Sequence, residues 1–515
     1  MSVRDKVITT LNDRLELERQ LDMLIEVHSE EEFTRQARRI ATRGDQVIPV
    51  ILRNLDHTDA RQINALGVVA SMYPHQAEIL NKLYDAAADL HRPDRERVSA
   101  MLILERFLGE APDPYLLQTL DDPRSVAIES IKDLLQTSEQ DPAVLIGYTR
   151  ALSAQPGEAI AGIIDTLVEV GQERAVPVLS LIAQLNDDEV ASIALHALGR
   201  LRHADAARGL QILASVLPPD RQPLGERSLL KLQLCGIPVT PLPQPSPSWR
   251  ALIGPIDGQG TRVVWFIHDP DEHRRCHFVG TLLNEADGLV QAYGNHAVPS
   301  LAVPGRGRPG HIHRVPFQPM EPSDGSSPKV STLFMLEADL DYGRWLVKEA
   351  QARSFEAGRA LPAVYRLLSP LIWQYDVSSL ASSRQLPPTP VQTLDLLPQT
   401  ASLPYHPFFR GWYIGREHTA QIAEEMLHEV ASVDQEMLRA RAARIAEAYF
   451  DEANLQRVRA RLIAMSEWLW QAEQMALVEL TTVAAKTIVE IPPAQHPFAI
   501  SMAELGLNLV VYQRQ

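Results

Sequence analysis

The densest run of side chains able to do chemistry is His268, Asp269, Asp271 and His273, closely followed by Cys276 and His277, with His311 and His313 further along. Divalent metals take neutral imidazole, carboxylate or thiolate from a rigid scaffold. A strand, a turn and a second strand over this stretch deliver His268 and His277 to one place. His268, His273, His277, His311 and His313 are therefore the candidate metal ligands. Their spacing matches neither HExxH nor another zinc signature. The competing reading is a solvated hairpin tip over Asp269 to Arg275, whose composition of His, Asp, Glu and Arg is ordinary for one.

Two further patterns need weighing. Arg306-Gly307-Arg308-Pro309 resembles the core of the AT-hook, which implies Arg306 and Arg308 reaching into a narrow A·T minor groove. The flanks Val303, Pro304 and His311 lack the extra cations of that motif, so a plain loop competes. The same glycine-rich stretch lacks the strand before and helix after that a phosphate-cradling P-loop demands. Glu425 and His428 form one Glu-x-x-His pair, but a di-iron bundle needs two such pairs and two more carboxylates. No G-x-S-x-G elbow, dinucleotide fingerprint or cysteine–histidine pair with local context is present. No catalytic residue and no cofactor are expected from these residues.

The elements that must position these groups are separated by proline. Of 37 prolines, 22 fall between Pro238 and Pro407. Proline removes a backbone donor and restricts the residue before it. PVTPLPQPSPS (238–248) therefore reads as an extended linker, and the Ser- and Pro-rich 376–405 as a second. Three blocks result: 1–237, 249–375 and 406–515. The expected class is a multidomain, mainly α protein, in which a small middle α+β domain with an antiparallel meander precedes a C-terminal helical bundle.

The first block is a succession of amphipathic helices with short polar punctuation, about fourteen by the pattern. In ERAVPVLSLIAQLNDDEVASIALHALGRL (173–201), Val176, Leu179, Ile182 and Leu185 make one apolar stripe. Asn186-Asp187-Asp188 turns the chain and caps the next helix. Ile193, Leu195, Leu198 and Leu201 then face the partner. Residues 44–70 repeat this logic, with Ile48-Pro49-Val50 matching Val176-Pro177-Val178 and Ala65-Leu66-Gly67 matching Ala197-Leu198-Gly199. The spacing suits a two-helix repeat. Over about 1–235 the pattern resembles the HEAT-repeat family of armadillo-like α-solenoids, with DDPRSVAIESIKDLL (121–135) keeping only a turn and second helix. The resemblance implies stacked helical hairpins whose concave face binds a partner.

In the middle block, RALIGPI and TRVVWFIH read as strands around Asp257-Gly258-Gln259-Gly260, with Asp-Gly supplying the positive φ of a hairpin turn. RRCHFVGTLL follows as a third strand and EADGLVQAYG as a short helix. A loop then runs from about 295 to 328, KVSTLFML is a fourth strand, and Asp339 caps a helix that Gly358 ends. In the last block Leu455, Val458, Leu462, Met465 and Leu469 mark a buried stripe, and Arg457, Arg459 and Arg461 are expected in solvent. His406-Pro407-Phe408 and His496-Pro497-Phe498 read as entry turns whose phenylalanines pack inward.

Composition then limits the function. Net charge is −16, which argues against coating nucleic acid or anionic membrane and favours a basic protein partner. Two cysteines, Cys235 and Cys276, exclude a disulfide framework and fit a reducing, cytoplasmic setting. The N-terminal residues have no signal-peptide h-region and no run of 18 apolar residues spans a membrane. Seven lysines against 42 arginines fit a GC-rich bacterial genome. The expected function is a non-catalytic protein–protein interaction scaffold or adaptor. The alternatives are a metal-dependent enzyme with its site in the α+β domain and a nucleic-acid-associated protein using the 305–314 loop.

Overall fold

The computed structural model describes residues 15–24, 30–56, 60–110, 113, 115–116, 119–153, 155, 157–317, 331–378, 380, 395–429 and 435–512. These residues are mainly helical, with one six-stranded antiparallel sheet. They divide into two compact units: Met1–Ala183 with Asp187–Gly209 and Leu230–Ile237, and Gln184–Asn186 with Leu210–Leu229 and Pro238–Gln515. Among the described residues no helix is long and apolar enough to cross a membrane.

The first unit contains α1 (Glu30–Ala41), α2 (Val47–Arg53), α3 (Ala60–Ser71), α4 (Gln76–Ala88), α5 (Asp94–Phe107), α6 (Pro123–Gln140), α7 (Val144–Ser153), α8 (Gly157–Gly171), α9 (Ala175–Ile182) and α10 (Asp188–Leu198). Beyond them, α11 (Ala204–Leu213) and α12 (Gln222–Leu234) are divided between the two units. Packing is consistent with hairpins: α4 lies on α5, α6 on α7 and α9 on α10. Next-but-one helices also touch. One row runs α1, α3, α5, α6, α8, α10, while α2 packs on α4 and α7 on α9.

The α9–α10 pair shows why the sequence folds this way. Val176, Leu179, Ile182 and Leu185 are buried, as are Leu195, Leu198 and Leu201, whereas Ile193 is half-exposed. Ala191 and Ala194 are also fully buried on α10. Asp187 is the N-cap of α10, and its carboxylate accepts from the amides of Glu189 and Val190 at 3.0 Å. Those amides have no partner within the helix, so the cap replaces the water they would otherwise need.

In the second unit the sheet order is β4-β3-β2-β1-β6-β5. The strands are β1 (Trp249–Ile253), β2 (Thr261–His268), β3 (Arg275–Asn284), β4 (Gly288–Pro299), β5 (Ile312–Phe317) and β6 (Ser331–Ala338). The helix expected over 285–294 is instead β4, antiparallel to β3. The expected long loop contains both the end of β4 and β5; its residues 318–328 lie outside those described. In the β1–β2 turn the positive φ falls on Gly260, at 76°, and not on Gly258. Gly258 is needed for a different reason: a Cβ there would lie 2.0 Å from the carbonyl oxygen of Gly411.

One face of the sheet is covered by α13 (Leu340–Glu356) and α14 (Ala363–Trp373). The C-terminal helices are α15 (Arg416–Glu429), α16 (Gln435–Tyr449), α17 (Glu452–Gln471), α18 (Met475–Thr487) and α19 (Pro497–Tyr512). Sheet and C-terminal helices share one compact unit, because buried indoles and guanidinia of the latter end on strand and turn carbonyls. Trp468 Nε1 donates to Ile253 O at 2.7 Å, and Trp412 Nε1 to Ile256 O at 3.0 Å. Arg461, expected in solvent, is buried; its Nε donates to Glu285 Oε1 at 2.7 Å and its fork also reaches Gly258 O. At the first entry turn Phe408 is half-buried and Phe409 takes the core position, while at the second Phe498 is fully buried.

The 238–248 segment forms no helix or strand and is held at its middle and at its C-terminal end. Asp376 N donates to Pro243 O at 2.8 Å, and Asp269 N to Ser248 O at 2.9 Å. Of the second expected linker, 379 and 381–394 lie outside the described residues. Its end forms a 3-10 stretch, Leu397–Tyr405, packed on α18 and α19 with Thr400 and Leu403 buried.

Candidate functional site

Strand register decides which of the sequence-marked side chains meet. Trp249 pairs with His268 and Ile267 with Phe278, so alternation places Trp249, His268 and His277 on the face that α13 and α14 cover. A register shift in the β3–β4 ladder between Cys276 and Phe278 accompanies His296 arriving beside His277. Ring centroids are 5.5 Å apart for His268 and His277, and 5.9 Å for His277 and His296. Trp249 stacks on His277 at 6.3 Å and meets His268 edge-on at 5.2 Å. Its Nε1 donates to the Tyr375 hydroxyl at 3.0 Å.

This cluster has a defined hydrogen-bond state. His268 Nδ1 lies 2.9 Å from Asp269 O, and a carbonyl can only accept, so that nitrogen carries the proton. His277 Nδ1 is buried with no hydrogen-bond partner. Leaving such an atom unpaired costs on the order of 1–3 kcal/mol. Burial, and then the nearby His277, hold His296 below the usual imidazole range. His273 is not part of the group. It sits on the exposed tip, where its amide and that of Arg275 donate to Asp271 Oδ1. Those two backbone bonds, led by Arg275, hold the Asp271 carboxyl below its ordinary value.

His311 and His313 do not join them. His313 pairs with Met335 across β5 and β6, which puts it on the opposite face of the sheet. There its Nε2 lies 2.7 Å from Glu337 Oε2, and Arg250 NH1 donates to the same oxygen at 2.8 Å. Both Arg250 and Glu337 are buried. Arg250 also donates to Pro304 O and Gly305 O, and Gly307 N to Glu337 Oε2 at 3.3 Å. The arginine–carboxylate pair thus anchors the 304–313 loop. His311 touches His313 edge-on at 4.7 Å.

Arg306 and Arg308, the sequence candidates for nucleic acid, are both exposed and both pair with surface carboxylates. Arg306 pairs with Asp269 and Arg308 with Glu473 at 3.2 Å. Glu425 and His428 lie on α15. Among the described residues no group of three or more His, Cys, Asp or Glu side chains could hold a metal ion. His296 and Glu337 were not among the sequence candidates. A cleft of about 420 Å³ is lined by Phe334, Tyr405, His406, Arg410, Trp412 and Tyr413. Its Tyr405 hydroxyl donates to Glu504, and burial followed by that carboxylate pushes the phenol up to about 12.

The exposed side of the α6–α8–α10 row is stitched by ion pairs. Arg124 on α6 reaches Glu169 on α8 at 2.9 Å, and Asp165 on α8 pairs with Arg200 beyond α10. Pairs this exposed contribute little to stability, so they leave the surface free to exchange partners.

No family model, curated protein or solved structure matches this chain.

Proposed function

We propose that the chain is a HEAT-like interaction scaffold, and that one row of helices in its first unit binds a segment of a partner protein. The packing of α1, α3, α5, α6, α8 and α10 in one succession supports this reading. Such a row exposes a continuous strip to which each hairpin adds one helix. Asp165 and Glu169 on that strip offer carboxylates to a basic or mixed-charge segment, which is where a net charge of −16 is useful.

The test is site-specific crosslinking of the full chain in the cells that make it. A photoreactive residue at Glu169 or at His196 on α10 is expected to capture the same partner. One at Arg150 on α7, outside the row, is expected to capture none. Capture that is equal at all three positions, or absent at both row positions, removes the proposal.

A further inference from the structure

We propose that the cleft formed by Phe334 of β6 and the 404–413 stretch is a binding site for a planar aromatic anion, in its simplest form an aromatic carboxylate. The proposal stands apart from the scaffold reading, since every residue lining the cleft belongs to the second unit. At about 420 Å³ the cleft falls within the roughly 300–1,000 Å³ of small-molecule sites, and like them it is walled by rings. The walls are Phe334, Tyr405, Trp412 and Tyr413. Two of those rings are held from behind. Phe334 meets Phe408 edge-on at 5.1 Å, and Trp412, whose Nε1 is fixed on Ile256 O, meets Phe498 at 5.8 Å. Tyr405 and Tyr413 remain exposed, so a flat ring rests against them at little ordering cost.

Charge decides the class of ligand. Arg410 lines the cleft, is exposed and has no carboxylate partner among the described residues, unlike Arg306, Arg308 and Arg461 of the same unit. His406 adds a neutral donor. Its Nδ1 accepts from the Phe408 amide at 3.3 Å, so the proton sits on Nε2, where no hydrogen bond among the described residues uses it. Burial holds this imidazole below its usual range, which keeps the ring uncharged at neutral pH. A guanidinium and an N–H on one cleft suit a carboxylate, whose two oxygens only accept. Glu504 is bonded to the Tyr405 hydroxyl at 3.1 Å and repels an anionic group from that wall. The ligand's ring therefore lies toward the tyrosine and its carboxylate toward Arg410. A cation, which aromatic walls alone would attract, meets the charge of Arg410 instead.

The probe is naphthalene-2-carboxylate, titrated calorimetrically into the full-length protein. Naphthalene-2-methanol and 2-naphthylmethylammonium serve as its neutral and cationic counterparts. One carboxylate per chain is expected, bound at least about 10-fold more tightly than either counterpart, as a hydrogen bond to a charged group provides. Arg410→Gln, at an exposed position, is expected to remove that preference and to leave the alcohol within about 2-fold of wild type. Tyr413→Ala is expected to weaken acid and alcohol by the same factor, because it removes a wall and no charge. Arg308→Gln, the same change on an arginine outside the cleft, is expected to alter neither. Absence of saturable carboxylate binding up to about 1 mM overturns the site. So does a carboxylate affinity that survives Arg410→Gln, or tighter binding of the ammonium.

Discussion

The buried imidazole of His496 illustrates how a single residue's surroundings become a property of the fold. The Thr487 hydroxyl donates to Val483 O at 2.8 Å, so it accepts from His496 Nε2, also at 2.8 Å. Nδ1 is buried without a partner, and burial drives the residue from 6.5 down to about 4. The unfolded chain takes up a proton near pH 6.5, whereas the native ring refuses it until about pH 4. Stability is therefore full above pH 6.5 and falls between 6.5 and 4, by about 1.4 kcal/mol per unit. His496→Gln removes this dependence. Urea unfolding at pH 7 and pH 5 is expected to show wild type losing about 2 kcal/mol more than the variant between the two. Parallel losses would exclude His496 as the source. At this scale the sequence was partly legible: a hairpin signal is local, so the meeting of His268 with His277 follows from it. His296 and Glu337 were not, because each acquires its neighbours through strand register set by residues far along the chain.

Among elements, β4 and β5 were misread, and for β4 the reason lies in its pattern. Leu289, Val290, Ala292 and Tyr293 fit a helical stripe as well as an alternating strand, and short apolar runs do not separate the two. The turn before it was the better guide. Asn284 Oδ1 accepts from the amides of Ala286 and Asp287, and Gly288 sits at φ 76°, so the chain reverses where a helix would have begun. The helices were legible because apolar spacing and an Asp cap agree, as at Asp187. A glycine in a turn is harder to interpret, since freedom and space are different needs. Gly258→Ala pushes a methyl into the Gly411 carbonyl and is expected to cost about 1–3 kcal/mol. Gly305→Ala, which meets nothing within 4 Å, is expected to stay within about 0.5 kcal/mol of wild type. Equal melting of both variants would show that the two turns separate freely.

At the scale of the molecule, proline marks where regular structure stops, which is a different matter from where packing stops. The Pro-rich 238–248 segment invites a cut at 237, yet Gln184–Asn186 and Leu210–Leu229 belong to the unit that holds the sheet. Within that unit Lys348 donates to Ser215 O at 2.6 Å while lying over Trp373, and Arg366 donates to Gln184 O at 3.4 Å. Burial holds both cations below their ordinary values, so their polar contacts matter more than those of surface lysines and arginines. Leu210, Leu213, Val216 and Leu217 are each at most 2% exposed. A chain starting at 238 loses these apolar side chains, each contributing about 1.5–3 kcal/mol of burial, and strands Lys348 without its carbonyl. One starting at Leu210 keeps them. Scanning calorimetry of the two fragments is expected to place the melting of 210–515 at least about 5 °C above that of 238–515, since each kcal/mol shifts a unit of this size by about 2–4 °C. Coincident melting would mean that 210–229 contributes nothing to the sheet unit, and that the proline-rich stretch is a seam of packing after all.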